Sequence, residues 1–175
     1  AQMFDPEQIQ TMILWLAAAG FVFVFIGGMT NQFVVYYDFT DLLWALTPYL
    51  FPLAGSLMAS SFVPTGETIG STPLAILSLT AGMLGAIYGA YRTFYLSMTH
   101  NGIVLGLIVG LFKALVALLV AVLSFGFLAK IIDKNAGLEK KMKATVFLGI
   151  LWWLTSKLIN GEEYYASRAI LVPEE

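Results

Sequence analysis

Residues 11–29 run without a single charge, and the stretches 42–63, 74–98 and 103–129 each carry one cation or none. About 20 apolar residues in an α-helix cross the roughly 30 Å hydrocarbon core of a bilayer. Inside that core every backbone N–H and C=O must be satisfied within the protein, which leaves only helices and closed barrels as spanning structures. Runs of this length are too long for strands. The chain is therefore predicted to be all-α, a polytopic transmembrane bundle of four to five spans in a single membrane domain over residues 1–175.

Composition agrees. Charged residues make up 11% of the chain and hydrophobic ones 59%, against about 25% charged in an ordinary soluble domain. A net charge of −2 argues against nucleic acid as a partner. The absence of cysteine removes disulfides, thiolate metal sites and thiol catalysis. One histidine, His100, cannot make a bis-histidine haem site within one chain. Pairing Ser56, after Gly55, with His100 as a hydrolase would require the histidine to reach the serine, and a histidine in a turn is far more often a solvated cap. No catalytic residue, metal site or cofactor is expected, and no enzyme. Asp38 and Asp41, like the other carboxylates, fall outside the long apolar runs, so an intramembrane proton relay is not expected either.

Along the chain, Asp5-Pro6-Glu7 reads as a helix start with Asp as N-cap and Pro in the first turn, opening a span over about 11–30. The connection 31–41 is acidic and aromatic. Pro48 and Pro52 interrupt the run 42–63; each deletes a backbone hydrogen bond, so a kinked span and a re-entrant segment both fit. Spans at 74–98 and 103–129 are separated only by Thr99-His100-Asn101-Gly102, which predicts a tight helical hairpin. Its first helix carries Gly82, Gly85 and Gly89, its second Gly102, Gly106, Gly110 and Ala114. Spacings of three and four put each set on one face, and small faces let membrane helices approach closely. The two stripes are expected to face each other, the second as a glycine zipper. The last run, 144–159, is short. It holds Trp152-Trp153, read as packing or interface anchoring, and bears Lys157 near its end, before an acidic tail, 160–175.

Two cations pose the sharpest question. Arg92 and Lys113 lie on the small-residue faces of the hairpin at similar distances from its turn. One reading moves the membrane boundary to them, with Tyr88, Tyr91, Tyr95 and Phe112 as an interfacial belt; residues 93–112 then project from the bilayer and need cover. The other leaves both cations inside and requires an anion from a partner, a lipid phosphate or a permeating ion. Arg92 and Lys113 are thus the candidate partner, lipid or anion contacts, with the anion expected from outside the chain.

Lys130, Lys134, Lys140, Lys141 and Lys143 fall within 130–143, which predicts a cytoplasmic loop and, with five spans, an exported C-terminus in a bacterial inner membrane. The function expected from these features is a non-catalytic integral-membrane subunit that helps assemble a larger complex for secretion, transport or energy conversion. Its partners would be other membrane subunits or copies of itself, together with lipid. A small homo-oligomeric channel or transporter with anion preference is the alternative.

Overall fold

The computed structural model describes residues 5–168. Its elements are α1 (Pro6–Met29), α2 (Phe39–Phe62), α3 (Pro73–Asn101), α4 (Ile103–Ile132), α5 (Leu138–Ser156) and α6 (Gly161–Arg168), with a 3₁₀ turn at Ile69–Ser71. The fold is the expected all-α bundle, and α1 to α4 are each long and apolar enough to cross a membrane. The chain is an integral membrane protein. α5 falls short by that measure among the described residues, since lysines occupy its first turns. It still carries the chain back along α4: Trp152 Nε1 donates to Ser124 Oγ at 3.0 Å, and Phe147 stacks on Phe127. Of the tail 160–175, the residues beyond Arg168 lie outside the described range.

Local chemistry sets the helix ends. Asp5 makes a reciprocal capping box with Gln8 ahead of Pro6, satisfying first-turn amides that have no partner in the helix. Asp38 caps α2 by accepting from the Asp41 amide at 2.9 Å. Gly102, at φ +86°, closes α3 and opens α4 in a single residue, a left-handed conformation that disfavours any side chain.

α2 is one uninterrupted helix of 24 residues through Pro48 and Pro52, about 36 Å long, and is long and apolar enough to cross a membrane. The missing donors leave the carbonyls of Trp44 and Pro48 without their i+4 partner, a loss membrane helices tolerate when neighbours close in. Here α3 does so: α2 and α3 form the most extensive helix interface of the bundle.

That interface corrects the expected pairing of glycine stripes. Gly82, Gly85 and Gly89 face α2, not α4. A Cβ at Gly82 would lie 2.7 Å from the Phe51 carbonyl oxygen and 3.2 Å from the Gly55 Cα, and one at Gly89 would strike Thr47 and Pro48. Gly85 accommodates the Phe51 ring. On α4, Gly106 fits against the backbone of Ser97 and Met98, and Gly110 against the Phe94 ring, so α3 and α4 meet closely near their shared turn. A Cβ at Gly102 would meet nothing within 4 Å, so this glycine serves the turn, not the packing. A small face announces a close approach without naming the helix that makes it, and here Gly55 completes the crossing.

One end of the bundle is closed by backbone that is not helical. Phe33, Val34, Val35 and Tyr36, between α1 and α2, are all buried, and Tyr36 pairs in parallel with Ile159 beyond α5. The opposite end holds the start of α1, the loop 63–72 and the turn 133–137 within the lysine-rich segment 130–143.

Replacing Gly82 by leucine should destabilise the bundle by about 1–3 kcal/mol or more through overpacking against backbone, and Gly106→Leu likewise. Gly126→Ala, at a position with open space around it, should be neutral or slightly stabilising. Thermal unfolding of the three variants in mild detergent checks the ranking.

Candidate functional site

The closed end is built around a buried ion pair. Lys113 Nζ donates to Asp41 Oδ1 at 2.7 Å, with both side chains shielded from solvent. Asp41 stands in the first turn of α2, where the positive end of the helix dipole favours a carboxylate, and its Oδ2 accepts from the Tyr37 amide at 2.9 Å. Lys113 faces the Tyr36 ring at 5.6 Å. The Tyr36 hydroxyl in turn donates to the Lys113 carbonyl. Burial foremost, then the Asp41 charge, pushes the Tyr36 phenol well above its ordinary range, so it stays a donor. The anion for Lys113 therefore comes from this chain, and the expectation of an external one is corrected. Asp41 lies just ahead of the apolar run at 42–63, and the helix begins early enough to take it inside.

Arg92 meets α2 at the adjacent turn. Its guanidinium carbon lies 5.6 Å from the Trp44 ring and 5.5 Å from the Tyr95 ring, a cation–π arrangement suited to arginine. Trp44, Tyr88, Tyr91 and Tyr95 form a continuous run of ring contacts beside it. The two cations thus share a level on α2, Lys113 through Asp41 and Arg92 through Trp44, but each has its own surroundings.

Two asparagines hold the non-helical plug. Asn101 Oδ1 accepts from the Val34 amide at 2.7 Å while its Nδ2 donates to the Val34 carbonyl at 2.8 Å. Asn160 Oδ1 accepts from the Val35 amide at 3.0 Å, and its Nδ2 donates to the carbonyls of Gly28 and Phe33, both at 2.9 Å. Buried extended backbone inside a membrane protein needs such partners, and these side chains supply them from the α3–α4 turn and from the end of α5. Around them, Tyr37 stacks on His100 with centroids 4.6 Å apart, and the Tyr165 hydroxyl meets His100 Nδ1 at 2.8 Å. Burial, with Tyr164 and Tyr37 nearby, raises the Tyr165 pKa, so its hydroxyl remains protonated. Arg168 reaches back to the carbonyls of Asn31 and Gln32.

Sequence reasoning picked out Lys113 and Arg92 but passed over Asp41, Tyr36, Asn101 and Asn160. His100, read as a solvated cap, is buried in an aromatic cluster. Ala114 contributes its carbonyl, which accepts from the Tyr49 hydroxyl at 2.6 Å, as well as its small side chain. Part of the stretch 93–112 is covered within the chain: Val109 is buried in the core cluster that includes Phe33, Val35 and Tyr36, and Gly110 against the Phe94 ring. Ile103 and Val104, on the other face, stay about three-quarters exposed.

Breaking one half of a buried ion pair strands a charge and typically costs about 3–5 kcal/mol. Lys113→Met and Asp41→Asn should each destabilise the fold on that scale, and the double variant should be clearly more stable than the sum of the two predicts. A double-mutant cycle read by denaturant titration in micelles measures this coupling; additive losses would show that the pair contributes nothing.

Comparison with protein families, curated proteins and solved structures found no match.

Proposed function

We propose that this protein is a non-catalytic integral-membrane subunit of a larger assembly in a bacterial inner membrane, docking to other membrane subunits through apolar helix surfaces at its plugged end. The observation that carries this reading is the ridge of Ile103, Val104, Leu107 and Leu111 on α4, all exposed. It begins directly after Asn101 at the α3–α4 turn and runs about two turns along α4, and an apolar ridge of this kind favours cover by protein or lipid over water. α1 adds to it. Met12, Ile13, Leu14, Trp15 and Leu16 are successive residues and all exposed, so the first half of the helix is uncovered around its circumference. Its second half packs on α4, with Gly20 against Phe112.

The buried polar side chains support a scaffolding role. Asp41, Lys113, Asn101 and Asn160 are committed to bonds that hold the fold. Lys113, neutralised by Asp41, is a poor filter charge, which weighs against the anion-selective channel. The lysines at 130–143 favour a cytoplasmic position for that end, which puts the start of α1 in the cytoplasm and the plugged end outside.

Two measurements test this. Extraction in gentle detergent followed by native mass determination should yield a heteromeric complex; a ring of this chain alone that conducts anions in liposomes would replace the subunit reading with the channel. A cysteine at Ala136, in a chain with no other thiol, should resist impermeant labelling from outside intact cells and react after permeabilisation. Labelling from outside would reverse the orientation.

A further inference from the structure

At the end opposite the plug, the last turn of α4 and the first turns of α5 enclose a cleft of about 630 Å³. Its lining is bipartite. Lys130 comes from α4 and Lys140 and Lys143 from α5, so three cations converge from two helices on one opening. The wall is apolar, formed by the stacked rings of Phe127 and Phe147, 6.0 Å apart, with Ala144 beside them. Asp133, the acidic residue of the lining, already accepts from the Asn135 amide at 2.9 Å and so caps its own turn. Glu139 bridges Lys143 at 3.0 Å, but that pair is spaced i, i+4 and largely exposed, a kind of contact readily exchanged for another anion.

We propose that this cleft binds an anionic phospholipid, with the phosphate at Lys130, Lys140 and Lys143 and an acyl chain along Phe127 and Phe147. The position fits. The cleft opens where the apolar part of α4 gives way to the lysine-rich turn, which is the headgroup level. Below it the same face of α5 continues through Phe147, Leu151 and Leu154, apolar and exposed in part or in full. A soluble phosphate would use the lysines and leave that surface idle; a phospholipid uses both. Basic clefts between helices at a membrane face are recurrent sites for anionic headgroups. The inference requires only that the chain sits in a bilayer and is independent of the assembly proposed above.

The test is native mass spectrometry of the detergent-purified protein supplied with equal phosphatidylglycerol and phosphatidylcholine of matched chains. The wild type should retain phosphatidylglycerol at activation energies that strip phosphatidylcholine. The K130Q/K140Q/K143Q variant should lose this preference by about tenfold or more, while K134Q/K141Q, at lysines outside the lining, should keep it. Should the triple variant fail to fold, K140Q alone should show a smaller loss in the same direction. Equal retention of the two lipids by the wild type, or an undiminished preference in the K130Q/K140Q/K143Q or K140Q protein, overturns the proposal. So does complete displacement of the lipid by excess inorganic phosphate, which would show that the lysines bind the free anion without the chain.

Discussion

Asp41 and Lys113 meet at 2.7 Å in a region closed to water, and neither charge could remain there without the other. Each sits on a different helix. The ammonium fixes how deep α4 lies against α2, and the carboxylate fixes where α2 must start. Its second oxygen takes the Tyr37 amide, which ties the last residues of the plug to the same point. Tyr36 closes the circuit by returning its hydroxyl to the Lys113 carbonyl. A buried pair of this kind is weak evidence for stability in itself, because desolvation offsets much of the attraction. Its effect on register is stronger: sliding either helix by one turn would strand a charge.

The asparagines extend the same logic to backbone. Residues 33–36 have no helix to satisfy their amides and carbonyls, yet they are buried. Asn101 presents a donor and an acceptor to Val34, while Asn160 spans Gly28, Phe33 and Val35. Through these two side chains the end of α1, the turn of the α3–α4 hairpin and the segment after α5 become one unit. Helices that are far apart in sequence are thereby locked at one end, while the lysine-rich half is held by helix packing, α2 on α3 at Gly55 and Gly82 and α4 on α5.

α2 is the element that the rest of the bundle is arranged around. Its prolines weaken its own hydrogen bonding, and its Gly55 lets α3 approach to backbone contact at Gly82. One turn presents Asp41 to Lys113 and the next presents Trp44 to Arg92. With its internal charges and amides occupied in this way, the protein meets its surroundings through apolar helix faces and through lysines at one end. Those features fit the subunit role proposed above.

The sequence by itself determined the all-α class, the membrane location, the long helices and the tight turn at Gly102. All of these follow from local properties: the length of an uncharged run, the N-cap at Asp5, the lack of a Cβ at Gly102. It also marked Arg92 and Lys113 as costly and the glycine faces as contact surfaces. Only the tertiary structure decided what each contact meets. Lys113 finds its carboxylate 72 positions away, and Asn160 reaches residues more than 120 positions earlier. The α3 glycines turn to α2 instead of their hairpin neighbour. Helical periodicity says which residues share a face, but it carries no record of which other face lies opposite, and an aspartate just ahead of an apolar run looks solvated until the fold draws it inside.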